Sequence, residues 1–152
     1  MSSLPVRARR KAVIYVTSAD HLLVFREPDY PEVGIQPPGG TITDSETVAE
    51  GAARELFEET GIHVAVSDLV EIGRQDYEYV SGGVLHRHHR TYFHASTTEP
   101  TDRAWTRVET NPDGADHEIL FALFWTPLSP GLVLFGNLDH CLPILRQRLA
   151  LT

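Results

Sequence analysis

The chain has 152 residues, a formal net charge of −8 and 41% hydrophobic residues, which suits one compact, enzyme-sized domain able to bury a substantial core. The acidic excess argues against a surface for nucleic-acid polymers, which are gripped by net-positive faces, so any polyphosphate contact calls for metal in between. Cys141 is the only cysteine, which excludes an internal disulfide and a multi-cysteine zinc site and makes it a buried small hydrophobe.

In chain order, the first eleven residues carry Arg7, Arg9, Arg10 and Lys11 and read as a solubilising basic tail. The short apolar stretch behind them is too interrupted for a signal peptide. No run approaches the roughly eighteen consecutive apolar residues of a membrane-spanning helix, so the expected setting is the cytoplasm, away from membranes. Strand-like runs at Ala12–Thr17 and His21–Arg26 flank the turn formers Ser18, Ala19 and Asp20 and predict a hairpin. A loop punctuated by Pro28, Pro31, Pro37 and Pro38 then leads to Gly39 and Gly40. Thr47 with Glu50 three residues on forms a capping box, and Gly61 supplies the left-handed cap, so a helix is predicted from about Val48 to Gly61. Leu69–Val80 and Val84–Ser96 around Ser81-Gly82-Gly83 predict a second hairpin. The polar stretch Thr97–Asp116 holds Pro100, Pro112 and Gly114 and reads as loop. Ile119–Thr126 is almost wholly apolar, as in a strand covered on both faces. Leu138–Leu149 has the spacing of an amphipathic helix that Pro143 would bend or shorten.

The predicted helix from Val48 carries the chemistry. At about 100° per residue, Ala49, Ala52, Ala53, Leu56 and Thr60 form a stripe that can pack on a sheet, while Glu55, Glu58 and Glu59 fall on the neighbouring third. Like charges at this spacing repel. Carboxylates held beside an apolar stripe therefore point to a divalent ion bound through oxygen, although such a cluster alone is more often a solvated helix face. Arg54, four residues before Glu58 and four after Glu50, is placed to orient its neighbours by ion pairs.

The spacing around the cluster decides between those readings. Gly40, Glu46, Arg54, Glu55, Leu56, Glu58, Glu59, Gly61 and Ile62 fit the pattern G-x5-E-x7-R-E-U-x-E-E-x-G-U, with U an aliphatic residue. At ordinary residue frequencies it arises by chance on the order of once per billion windows. The stretch resembles a complete Nudix box. The resemblance implies an α/β fold, an α/β/α sandwich with a mixed β-sheet, formed as a single domain over residues 1–152. It also implies a metal-dependent hydrolase that cleaves the phosphoanhydride of a nucleoside diphosphate linked to another moiety. Carried over by position, Glu55, Glu58 and Glu59 become ligands of Mg²⁺ or Mn²⁺, joined by the carbonyl of Gly39, while Glu46 pairs with Arg54 and braces the loop. Glu55 or Glu118 is the implied general base, and Asp116 and His117 adjoin the latter. These residue types suit the chemistry, because such ions take oxygen ligands, neutralise phosphate charge and acidify water, and a carboxylate can take the proton.

Substrate contacts are less determined. Arg26 at the end of the second strand can reach a phosphate or serve as a surface charge. In His86-Arg87-His88-His89-Arg90, strand alternation puts His86, His88 and Arg90 on one face, and these histidines do not converge on a transition metal. Tyr30, Tyr77, Tyr79 and Trp105 offer base-stacking surfaces or ordinary packing, while Trp125 belongs to the core. Within the family resemblance, Tyr79 falls where dinucleoside polyphosphate hydrolases carry a tyrosine. No proline lies between Gly61 and Pro100, where ADP-ribose pyrophosphatases tend to have one. The expected ligand is thus a small nucleoside diphosphate derivative, a nucleoside triphosphate or dinucleoside polyphosphate ahead of ADP-ribose or a nucleotide sugar. A non-catalytic ligand sensor has no need of an intact acidic set, and family members often form homodimers.

Overall fold

The computed structural model describes residues 3–110 and 117–151. Its elements are β1 (Val6–Ser18), β2 (His21–Arg26), β3 (Gly39–Thr41), α1 (Val48–Thr60), β4 (Val70–Ser81), β5 (Val84–Thr97), β6 (Trp105–Thr110), β7 (Glu118–Pro127) and α2 (Leu142–Arg148). Six strands run in the order β4-β5-β1-β2-β7-β6, with β3 paired to β1. The β1–β5 pairing is parallel and the others are antiparallel, so the sheet is mixed.

Strand alternation divides the core into two layers. Ile14, Val16, Leu23, Phe25, Phe93 and Leu123 face α1 and meet its Ala52 and Leu56. The alternate residues Val13, Tyr15, Leu22, Val24 and Tyr92 face Leu142 and Leu145 of α2, with Cys141 buried beside them. Helices on both faces of a mixed sheet make the expected α/β/α sandwich. No helix among the described residues is long and apolar enough to cross a membrane.

The helix boundaries follow the local chemistry. Thr47 accepts from the Glu50 amide at 3.1 Å while Glu50 accepts from the Thr47 amide at 2.8 Å, and Gly61 ends α1 at φ 80°. In the β4–β5 turn, Ser81 opposes Val84 and Gly82 and Gly83 both have positive φ, as a two-residue hairpin of matching twist requires.

Three expectations are corrected. The basic segment 6–11 is no tail: it belongs to β1 and pairs with β5 from Val6–Leu85 onward. The polar stretch expected to be loop contains β6, paired with β7 from Trp105–Leu123 to Thr110–Glu118; Asp116, Pro112 and Gly114 lie outside the described residues. The last helix begins only at Leu142, with Pro143 in its first turn, where a missing amide hydrogen costs nothing.

The site opens where two strands part. The β1–β2 register covers only Thr17–Leu22 and Ser18–His21. Beyond it β1 turns to β3, pairing Lys11–Val13 with Thr41–Gly39, and β2 turns to β7. The proline-rich loop enters the resulting V and is fixed to both arms, by reciprocal backbone bonds between Phe25 and Gln36 and by the Ile14 amide donating to the Pro38 carbonyl at 2.9 Å. This delivers Gly39 and Gly40 beneath α1.

Candidate active site

Arg54 organises the entrance of α1. Its Nε and Nη2 donate to the two oxygens of Glu46 at 3.0 and 2.6 Å, a bidentate fork suited to a carboxylate. Nη2 also donates to the Thr41 carbonyl at 3.1 Å, and the Thr43 amide donates to Glu46 at 2.9 Å. The Arg54 guanidinium is the chief reason the Glu46 carboxyl is held down to about 2. These bonds tie loop 41–46 to the helix.

Deeper in, the carboxylates are treated differently. Arg54 Nη1 donates to Glu55 at 3.0 Å and to Glu58 at 3.2 Å, but Glu55 is only 8% exposed. Burial pushes its carboxyl up to about 7 against the pull of Arg54, and the Glu58 charge adds to the rise. Glu59 is buried too and rises well above the usual carboxylate range through burial and then Glu109, opposed by the Gly39 amide, which donates to it at 2.7 Å. Gly40 lies so close that a Cβ there would overlap the Glu55 carboxylate, and a Cβ on Gly39 would overlap the Ala12 carbonyl. Both glycines are thus needed for close approach, not for positive φ.

Glu55, Glu58 and Glu109 each present an oxygen within 4.8 Å of the other two. Sequence reasoning missed Glu109, which β6 supplies. The inward residues of that strand all reach α1: Trp105 Nε1 donates to the Thr60 carbonyl at 2.8 Å, and Arg107 Nη2 donates to the carbonyls of Phe57 and Glu58 at 3.2 and 3.1 Å. The alternation Trp-Thr-Arg-Val-Glu-Thr was the available signal. Glu59, expected as a ligand with the other two helix glutamates, lies outside that trio and lines the cavity, accepting from the Gly39 amide.

A cavity of about 640 Å³ occupies the V, with Glu55, Glu59 and Glu109 on one side. Its opposite wall comes from the β4–β5 hairpin. Arg90 is 6% exposed, lies 4.0 Å from the Tyr77 ring centroid, and donates to Gln75 at 3.0 Å and to the Gly136 carbonyl at 2.8 Å. Tyr79 stacks on His86 at 4.8 Å and meets His88 edge-on at 5.3 Å. The expected face of His86, His88 and Arg90 is therefore the inner one. Burial, with Lys11 and Arg90 nearby, lowers His88 to about 4, so it is neutral at physiological pH, and its buried Nε2 has no hydrogen-bond partner among the described residues.

Two expected site residues are not brought to this cavity. Arg26 is exposed and shares the α2-side face of β2, its guanidinium 4.6 Å from the Phe124 centroid. Glu118 stands exposed at the first position of β7, opposite Thr110, outside the carboxylate trio and the cavity wall. One position of alternation separates a strand's inner from its outer face, and at both sites the residue falls outward.

The arrangement can hold a hard cation, because converging carboxylates, one of them buried against its own charge, gain from a divalent partner. It can also seat a flat polar ligand between aromatic and acidic walls. The NUDIX domain family profile matches residues 7–130. No curated protein matches the sequence. A MutT NUDIX hydrolase from Burkholderia pseudomallei superposes with a TM-score of 0.65 at 19% identity, covering 90% of this chain and 97% of that one. A MutT protein from Bacillus halodurans gives 0.54 at 20%, covering 79% and 69%. A bifunctional NMN adenylyltransferase/ADP ribose pyrophosphatase from Francisella tularensis, complexed with AMP and manganese, gives 0.55 at 20%, covering 94% of this chain and 42% of the larger one. The profile match over most of the sequence, with the acidic helix seated against the cavity, shows that the chain belongs to the NUDIX family.

Proposed function

We propose that the protein hydrolyses the phosphoanhydride of a nucleoside diphosphate linked to another moiety, with a nucleoside triphosphate or dinucleoside polyphosphate preferred to ADP-ribose or a nucleotide sugar. The carrying observation is the convergence of Glu55, Glu58 and Glu109 within 4.8 Å at the edge of a cavity whose far wall is aromatic and cationic.

The donor set fits Mg²⁺ or Mn²⁺, since it offers only oxygen. Glu55, Glu58 and Glu109 would hold the ion, with Glu59 and the Gly39 carbonyl available from the cavity side. When bound, such an ion neutralises phosphate charge and makes a coordinated water acidic. This chain's own residues do the rest. Arg54 fixes the orientation of Glu55 and Glu58 from behind, and the Gly39 amide fixes Glu59. The β4–β5 wall orients the nucleoside through Tyr79 and His88. Glu55 takes the proton of the attacking water, a role better suited to this buried carboxylate at the cavity edge than to exposed Glu118. Arg90, whose bonds go to Gln75 and Gly136, sets the shape of the wall.

A turnover screen with Mg²⁺ or Mn²⁺ against nucleoside triphosphates, dinucleoside polyphosphates, ADP-ribose and nucleotide sugars tests this reading. Metal-dependent release of a phosphate-bearing product supports it; no turnover of any of these compounds contradicts it.

A further inference from the structure

Two unlike recesses meet at the carboxylate trio. Glu55 and Glu109 line the cavity in the V and also a second groove of about 640 Å³. The first recess is walled mainly by rings, among them Tyr77, Tyr79, Phe121 and Phe135, with Lys11 and Arg90 also in its lining. The second is lined by Arg7, Arg9, Arg54 and Arg107, with Phe57 its aromatic residue among those described. Arg54 is committed to the glutamates of the box. Arg107 is held by the last carbonyls of α1, which carry partial negative charge, so its guanidinium is fixed at the groove. Arg7 and Arg9 arrive because β1 extends back to Val6 alongside β5. An ion held by the three glutamates would offset their charge beside the guanidinium groups that line the groove.

We propose that this groove receives the departing end of the substrate, and that Arg7, Arg9 and Arg107 select a departing group that is itself multiply charged. The inference rests on the hydrolase reading and narrows its substrate class. The nucleoside enters the ring-lined recess, the scissile anhydride lies across the carboxylates, and terminal phosphates lie among the arginines. A nucleoside triphosphate satisfies both recesses. When water adds to the nucleoside-bound phosphorus and the anhydride breaks, a nucleoside triphosphate releases pyrophosphate, whereas ADP-ribose and nucleotide sugars release a single phosphate capped by a neutral sugar, and the groove offers little to stack a second base. Planar guanidinium groups suit phosphate oxygens, whereas a sugar uses them poorly.

Two measurements on the full chain test this. In steady-state kinetics with ATP and ADP-ribose, the wild type should prefer ATP, and Arg7→Gln with Arg9→Gln should lower kcat/KM for ATP about tenfold, the size of one lost charged contact, while ADP-ribose changes little. Equal losses for both compounds, an unchanged ATP value or a wild-type preference for ADP-ribose would overturn the assignment. Calorimetry with inorganic tripolyphosphate and Mg²⁺ supplies a readout independent of turnover. The double variant should bind this probe about tenfold more weakly, and Arg107→Gln, if it folds, should act in the same direction. Should no nucleotide be hydrolysed, the hydrolase reading fails, and the tripolyphosphate comparison still decides the groove: equal affinity in wild type and double variant refutes it.

Discussion

Glu46 and Glu55 share a side chain and an arginine but meet opposite fates. Glu46 receives two of the Arg54 nitrogens and a backbone amide and is held at about 2. Glu55 receives one nitrogen, lies buried next to Glu58, and is pushed to about 7. The first is a finished structural contact. The second is a charge the protein alone does not satisfy, and a divalent cation would complete it. Distinguishing brace from ligand therefore depends on how much of the arginine each carboxylate receives.

The largest effect that would sharpen this contrast is on turnover. Altering residues that merely orient metal ligands costs about 10- to 100-fold, so removing a ligand charge through Glu58→Gln should lower kcat/KM by at least about 100-fold, with the circular dichroism spectrum unchanged. Glu109→Gln should fall in the same range, whereas Glu118→Gln should stay near wild type; a reversal of those two would move the site from β6 to the start of β7. Next comes stability. Glu46→Gln should cost about 1–2 kcal/mol in urea unfolding, a charged hydrogen bond's contribution reduced by the partial exposure of Arg54, and a value within error of zero would make the brace incidental.

A smaller effect links proton and metal. Because the folded-state pKa of Glu55 is raised from 4.5 to about 7, its contribution to metal-free stability declines as pH rises from about 4.5 through 7. A cation takes the proton's place, so the rise in Tm on adding Mg²⁺ should be larger at pH 8 than at pH 5. An equal rise at both values would detach the ion from Glu55. Smallest of all, Arg26→Ala should leave KM unchanged, since its guanidinium lies over Phe124 on the far face.

The same contrast explains what was legible in the sequence. The α1 boundaries, the Glu46–Arg54 brace and the double-glycine hairpin follow from local spacing, and local spacing is what a sequence displays. The strand β6 was hidden because its inward positions are Trp105, Arg107 and Glu109, a set chosen to contact α1 and the carboxylates, not to fill a core, so no apolar alternation announced it. The front of β1 looked like a basic tail because its partner, β5, lies some eighty residues away and pairs in parallel. Glu118 drew attention through the family resemblance, yet a strand paired antiparallel supplies the nearby carboxylate from across the register.

The most direct test titrates MnCl₂ calorimetrically into the protein mixed with a non-hydrolysable nucleoside triphosphate, for wild type and for Glu55→Gln with Glu58→Gln. The account predicts saturable association in the wild type and its loss in the double variant. No heat of association in the wild type, or the same affinity in both proteins, would contradict it.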